Sequence, residues 1–283
     1  FSDDEKELYS MVHLNPYTIM LQEEQMPTVY LVGVATDPGV RGQGIVKQIL
    51  QMSLTILRAQ GYPFVLLMPE EAGIYTPYQF SFVYYKTQYE IPLTALHFAQ
   101  RDKAITLQVE KCMSKYSSYV VRSENLWADF FKVFQAEQGR IVFAYEQEKP
   151  VGYLLYQYHN QVFHIHEMIA LNIKAKQTLL HFAKQHLGQC QTLSWLAPTD
   201  DRTYLEFSNQ RLSGKQLPFM MARIIDAKRI FTKLKVPVQL NGSFIIMVAD
   251  SLIKNNNYLL QIMINEGQIT TKDVLELPDI EID

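Results

Sequence analysis

The segment best suited to chemistry is Val34-Ala-Thr-Asp-Pro-Gly-Val-Arg-Gly-Gln-Gly-Ile-Val-Lys47. A β-rich run enters a glycine-bearing turn, and the turn opens a run with helical periodicity. Such a turn aims consecutive backbone N–H groups outward, and the helix dipole adds positive potential. The result is an anion site suited to a phosphate, with Gly42 and Gly44 allowing close approach of the backbone. Two phosphate-binding patterns do not fit. A P-loop needs Gly-Lys-Ser/Thr, but Gly44 is followed by Ile45-Val46. A dinucleotide fingerprint needs a third glycine where Lys47 stands. Other reactive residue types form weaker patterns. His164-Ile-His-Glu167 places two imidazoles on one strand face, but no third metal ligand is visible, so satisfied or exposed histidines are expected. Cys112 and Cys190 are the only cysteines, and neither has CxxC or zinc spacing. They point to a reducing compartment and no structural zinc, and Cys112 lacks a marked His partner for a nucleophilic role.

The elements that must position the glycine turn can be read from periodicity. Residues 7–14 and 17–22 read as a hairpin about Asn15-Pro16. Residues 29–36 form a strand. A helix follows from Gly44 to about Ala59, where Ile45, Ile49, Met52 and Ile56 step by four, three and four along one face. Val46, Leu50 and Leu57 widen that stripe, and Gly61 marks its C-terminal cap. Residues 63–68 are a short buried strand ended by Pro69. A brief helix spans about 71–78, and residues 80–91 return as an aromatic strand. Residues 102–116 read as a helix. Residues 141–145, 151–158 and 162–170 read as three antiparallel strands, 174–187 as a helix and 192–196 as a strand stopped by Pro198. Strand, turn, helix, short strand and Pro thus occur twice, over 34–69 and 168–198, as expected of a duplicated α/β module. Residues 220–234 read as a helix, followed by strands at 244–248 and 258–264.

Composition bounds the function. The chain has 283 residues, which suits two or three domains at about 100–200 residues each. It is 48% hydrophobic and 19% charged, enough apolar surface to exclude disorder as the main state. The net charge of −3 argues against a nucleic-acid or anionic-membrane binder. No run of apolar residues is long enough for a membrane helix, and no signal peptide is visible, so a cytoplasmic location is expected.

Arg41-Gly42-Gln43-Gly44-Ile45 resembles motif A of the GNAT acetyltransferase superfamily, the pyrophosphate loop of an acyl-CoA binder. The motif's first Gln/Arg position is Gly39 here. Further on, Ile74-Tyr75 followed by Tyr78 and Phe80 looks like the arrangement in the Eis (enhanced intracellular survival) family. Met11-Val-His-Leu-Asn-Pro-Tyr17 is similar to that family's central strand pair. Phe219-Met-Met-Ala-Arg-Ile-Ile-Asp226 is similar to the entry into its sterol-carrier-like domain.

The resemblance implies an α+β fold of tandem GNAT-type mixed sheets flanked by helices, followed by a partial sterol-carrier-like domain. Domain limits of 1–92, 93–216 and 217–283 are expected, the second GNAT-like copy being degenerate because Leu171-Asn-Ile-Lys-Ala175 has no glycine. A first strand and helices are expected ahead of Phe1, and the rest of the last domain after Asp283. By the same resemblance, the backbone of Val34, Ala35 and Thr36 meets pantetheine. Gly42, Gln43, Gly44, Ile45, Val46 and Lys47 hold pyrophosphate, with Arg41 at its edge, and Glu70 and Glu71 line the junction of cofactor and acceptor. Tyr75 falls on the general acid. A phenol is protonated at neutral pH and can supply the proton that a departing thiolate needs. The base stays unassigned, because Asp283 does not inherit the family's C-terminal carboxylate role. The implied activity is direct acetyl transfer from acetyl-CoA, without metal, to a primary amine of a small cationic molecule or a peptide lysine. The alternative is a non-catalytic CoA- or lipid-binding receptor on the same fold. A homo-oligomer such as a hexamer is implied; nucleic-acid and membrane partners are not. Acidic Asp3-Asp4-Glu5 reads as a solvated loop.

Overall fold

The computed structural model describes residues 8–106, 118–209, 211–275 and 280–282. Cys112, Asp283 and Asp3-Asp4-Glu5 lie outside the described residues, as does most of the helix expected over 102–116. The first elements are β1 (Ser10–Leu21), β2 (Glu24–Thr36), α1 (Ile45–Ala59), β3 (Phe64–Leu67) and β4 (Ser81–Pro92). Next come β5 (Ile105–Thr106), β6 (Ser118–Val120), α2 (Glu124–Ala136), β7 (Arg140–Glu146), β8 (Lys149–His159), β9 (Val162–Ala170), α3 (Ile173–Lys184) and β10 (Thr192–Pro198). The last are β11 (Lys215–Ile224), α4 (Ala227–Phe231), β12 (Gly242–Val248), β13 (Tyr258–Asn265), β14 (Gln268–Val274) and β15 (Ile280–Ile282). They divide into two compact units. Among the described residues, one holds 8–83, 118–121, 219–275 and 280–282, and the other holds 84–106, 122–209 and 211–218. Among the described residues, no helix is long and apolar enough to cross a membrane.

In the first unit the strand order runs from the end of β11 through β3, β2 and β1 to β6. β2 and β3 are parallel, joined by α1, and the other pairs are antiparallel. α1 buries Ile45, Ile49, Leu50, Leu54 and Leu57, each contributing roughly 2 kcal/mol of apolar burial. Met52 and Ile56, expected on that face, are exposed. The buried stripe instead follows the 50/54/57 row that meets Val29, Leu31, Val65 and Leu67 of the sheet. A separate sheet of this unit has the order β14-β13-β12-β15 around Ile246, Leu260, Ile262 and Ile269.

Three sequence expectations change here. The Asn15-Pro16 turn does not form, and β1 runs straight through it. Proline lacks the N–H of a ladder donor, but among the described residues β6 pairs only with Ile19–Leu21, so Pro16 has no strand beside it on that edge. The hairpin turns instead at Gln22-Glu23, both left-handed at φ 48° and 68°, as a two-residue hairpin requires. The helix expected over 220–234 is a strand to Ile224 and a single short helix. Met221 to Ile224 pair with Leu67 to Phe64, and that ladder overrides the helix propensity of Met-Met-Ala-Arg. Asp226 then caps α4, accepting from the Arg229 N–H at 3.2 Å. At 102–116, the described part is a turn and the strand β5.

In the second unit the order is β5-β7-β8-β9-β10-β4, with β9 and β10 parallel around α3. The crossover β9-α3-β10 therefore repeats β2-α1-β3. Tyr89 stacks on Trp195 and donates to Asp201 at 2.9 Å, while Lys176 meets the other carboxylate oxygen at 2.6 Å. α2 is absent from the elements read from periodicity, although a serine cap and apolar residues at i, i+3, i+4 and i+7 announce it. Ser123 caps it, and Trp127, Phe130, Phe131 and Phe134 form its inner stripe over Tyr153 and Ile169.

The His164-Ile-His-Glu167 strand is occupied by contacts of its own. Glu167 takes two bonds from Arg122, at 2.8 and 2.6 Å, and a further one from the Tyr153 hydroxyl. The His164 ring stacks on His159 at 4.5 Å, and His166 meets the Gln157 side chain at 3.1 Å. Among the described residues, no group of three or more His, Cys, Asp or Glu is arranged to hold a metal. Desolvation pushes His164 below its ordinary pKa, with His159 and His166 adding to it. Desolvation does the same to His166, against the pull of Glu137. A folded-state pKa lowered in this way gives stability that is present above the unfolded value of about 6.5 and lost as pH falls. Urea unfolding of the full chain is therefore expected to weaken from about pH 7 to about pH 5. His164→Gln flattens that slope; an equal slope in the variant would remove the cluster from the account.

Candidate functional site

The glycine turn is built in three steps after β2. The Asp37 carboxylate accepts from the Gly39 N–H at 2.7 Å and starts a one-turn helix over Pro38–Val40. Arg41 then folds back, its Nε donating to the Thr36 carbonyl at 3.2 Å. Gly42 and Gly44 follow at φ 80° and 78°, a region that costs other residues about 1–2 kcal/mol. Gly44 is the N-cap of α1 and carries no side chain to close it. The N–H groups of a helix's first turn have no intrahelical acceptor. No acidic residue stands in that turn of α1, and a Cβ placed at Gly42 or Gly44 would meet nothing within 4 Å. The other three α-helices differ. Ser123, Asn172 and Asp226 each close their own helix with a side-chain oxygen. α1 alone among the α-helices of the described residues thus presents an open donor cluster beside open space. Gln43 and Lys47 are exposed there. Val46 is half-buried, and Ile45 is buried, so Ile45 offers only its backbone.

The end of β2 supplies a second feature. β2 pairs with β3 only from Val29 to Leu31, against Val65 to Leu67. Its pairing with β1 continues to Thr36. Among the described residues, 32–36 therefore lack a strand partner on the β3 side, and the two parallel strands part there. A bulge accompanies the parting. Between the pairs Met11–Ala35 and His13–Val32, β1 has Val12 alone while β2 has both Gly33 and Val34. Gly33 sits at φ 61°, the conformation a glycine bulge needs, and adds local twist. Gly33 is not among the residues that the motif points to, although a glycine inside a strand run is the usual signal of a bulge. Of the backbone groups expected to meet pantetheine, those that Ala35 and Thr36 pair with Met11 and Ser10 are engaged in the β1–β2 ladder, and two carbonyls also take side-chain bonds. The Ala35 carbonyl accepts from Ser10 Oγ at 2.8 Å, and that of Thr36 from Arg41.

Gly33→Ala is expected to cost about 2 kcal/mol. The left-handed backbone accounts for about 1–2 kcal/mol of this, and the new Cβ would stand 3.0 Å from the His13 ring. The urea midpoint reads the effect, and an unchanged midpoint would remove the bulge from this description of the site.

Tyr75 lies between two one-turn helices, Ala72–Ile74 and Thr76–Tyr78. It is 8% exposed and packs edge-on against Phe80 at 5.9 Å. Burial pushes its phenol above the ordinary pKa, which keeps it protonated at neutral pH. Its apolar cluster contains Val29, Leu31, Leu50 and Leu67, and Val34 and Val46 pack against the same cluster. Tyr75, Val34 near the end of β2 and Val46 in the first turn of α1 thus share one apolar cluster. Glu70 and Glu71 are exposed, and the Glu71 carboxylate caps the turn before Tyr75 by accepting from the Gly73 N–H at 3.1 Å. In the repeated crossover of the second unit, Asn172 accepts from the Ala175 N–H at 2.8 Å. Its side chain occupies the place that is open at Gly44.

Residues 2–83 match a family model for an acetyltransferase (GNAT) domain, and residues 118–224 match a second model of the same description. No curated protein matches the chain. Among solved structures, the chain is similar to a conserved protein of Enterococcus faecalis described as a probable N-acyltransferase. Identity is 23% and the TM-score 0.85, covering 96% of this chain and 73% of that one. It is also similar to a GCN5-related N-acetyltransferase from Kribbella flavida, at 14% identity and a TM-score of 0.79, covering 98% and 72%. Eis1 from Mycobacterium abscessus matches at 15% identity and a TM-score of 0.75, covering 100% and 76%. At these identities the likeness is one of fold. Taken with the two family matches, it identifies the chain as an acyl-CoA-dependent acyltransferase carrying two GNAT acetyltransferase domains in tandem.

Proposed function

We propose that the chain moves the acetyl group of acetyl-CoA directly to a primary amine, of a small cationic molecule or of a peptide lysine. The observation that carries this reading is the uncapped start of α1 beside the end of β2 where it parts from β3. The N–H groups of Ile45, Val46 and Lys47 suit a pyrophosphate, and Gly42 and Gly44 let it approach. The parted strand edge at Val34, Ala35 and Thr36 suits the amide-bearing pantetheine arm. Arg41 lies at the edge of the turn, with Gln43 within it. Glu70 and Glu71 stand on the segment that leads to Tyr75, where a carboxylate favours a cationic acceptor.

The reaction then needs few groups. The neutral amine attacks the thioester carbonyl carbon, and backbone N–H groups at the end of β2 polarise the carbonyl oxygen. As the C–S bond breaks, the sulfur takes the Tyr75 proton, and Tyr75 regains one from water. The proton lost by the amine passes to solvent. The second GNAT domain is read as non-catalytic, because Asn172 closes its helix. The sheet β14-β13-β12-β15 is read as part of a sterol-carrier-like domain.

The test is thiol release from acetyl-CoA by the full chain, with kanamycin, spermidine, 2-phenylethylamine and a lysine peptide as acceptors. Amine-dependent release is the expected result. Saturable acetyl-CoA binding with no release across the panel would overturn the reading in favour of a receptor.

A further inference from the structure

We infer that Gln79 is a positioning residue for Tyr75, held by a clasp formed from residues 249–257 and Arg223. This inference rests on the assignment of Tyr75 as the acid. Each turn flanking Tyr75 is only three residues long, too short to hold itself. Gln79 ends the second turn, its N–H donating to the Thr76 carbonyl at 3.0 Å. Its backbone is left-handed at φ 63°, as in the turns at Gln22 and Gln147, so what sets it apart is the surroundings of its side chain.

Those surroundings lie about 170 residues away in sequence. Gln79 Nε2 donates to the Ala249 carbonyl at 3.1 Å, and Gln79 Oε1 accepts from the Ser251 N–H at 3.2 Å. The same oxygen accepts from Arg223 Nη2 at 3.2 Å. Arg223 Nη2 also meets Asp250 Oδ1 at 2.5 Å. Asp250 organises its own turn, accepting from the Leu252 and Ile253 N–H groups at 2.9 and 2.8 Å and from the Asn256 amide at 2.8 Å. Leu252 and Ile253 enter the apolar cluster that holds Tyr75 and Phe80. Polar bonds and packing from the same distant turn therefore converge on the short stretch that begins at Tyr75. None of these groups is read as touching substrate, so their effect on the reaction passes through the phenol.

Gln79→Asn shortens the side chain that reaches Ala249 and Ser251 without adding the backbone freedom of glycine, because asparagine tolerates the left-handed region. Amide exchange over residues 75–80 is expected to rise about tenfold, with β3 protection unchanged. Thiol release from acetyl-CoA is then measured with the fastest amine of the panel, or with water. kcat is expected to fall about 10- to 100-fold while KM for acetyl-CoA holds. In a Tyr75→Phe background the same substitution is expected to add nothing. Unchanged exchange, or an equal further loss in the Tyr75→Phe background, would overturn the clasp alone. A Tyr75→Phe enzyme with unaltered kcat would overturn the acid assignment and this inference with it.

Discussion

Asp250→Ala is expected to destabilise the chain by about 3–5 kcal/mol, the cost of leaving a buried cation without its partner. The Arg223 and Asp250 side chains are 2% and 3% exposed, so water cannot replace either. Two further Arg223 nitrogens, Nε and Nη1, are buried without a partner among the described residues, so the guanidinium already lacks full compensation. Desolvation pushes the Asp250 carboxyl up, but Asn256, the Ile253 N–H and Arg223 outweigh it and hold the carboxyl below its ordinary value. A carboxylate pKa lowered by folding gives stability that is present above the unfolded value of about 3.9 and lost as pH falls through the folded one. The wild-type protein should therefore lose this contribution only in acid, whereas Asp250→Ala lacks it at neutral pH. Thermal unfolding at pH 7 reads the difference, at roughly 2–4 °C per kcal/mol for units of this size. The double variant Arg223→Met/Asp250→Asn removes both charges and keeps an acceptor for the Leu252 and Ile253 N–H groups. It is expected to recover most of the loss. If Asp250→Ala unfolds within about 2 °C of the wild type, the pair contributes little and the estimate is wrong.

Tyr75→Phe carries the largest expected effect on catalysis. Removing one proton donor lowers kcat by about 10²–10⁴-fold when that donor serves the leaving group. The ring itself should stay in place. Without its hydroxyl it would keep the edge-on contact with Phe80 and the packing against Leu31 and Leu67, so stability should shift by about 1 kcal/mol or less. Affinity for acetyl-CoA should also hold, since the contacts proposed for pyrophosphate and pantetheine lie on α1 and β2. Burial raises the Tyr75 pKa, so the wild-type kcat profile should show no alkaline decline from this group below about pH 10. A Tyr75→Phe enzyme with full kcat would move the proton donor elsewhere. One with a raised KM and full kcat would make Tyr75 a binding residue.

Much of the candidate site was legible in the chain because its physics is local. The glycine pair at 42 and 44, the β run before it and the apolar stripe after it predict an anion-binding helix start. Each depends on residues within a few positions of one another. The repeated crossover was legible for the same reason, as strand, helix and strand lie close in sequence both times. The first hairpin was less so, because Gln22-Glu23 takes a left-handed turn without the Asn or Gly that announces one.

What only the tertiary structure decided involves distant partners. Met221 to Ile224 read as helix until β3 offers them a ladder. Met52 and Ile56 fit the period of α1 but fall outside the stripe that Leu50, Leu54 and Leu57 press onto the sheet. The parting of β2 from β3 is a matter of register, which no single strand encodes. The setting of Tyr75 is the clearest case. Its identity and its neighbour Phe80 are visible in the sequence, yet its place is set through Gln79 by Arg223 and Asp250. A hydrogen bond across about 170 residues leaves no periodic trace, because it depends on the path of the whole chain rather than on local propensity.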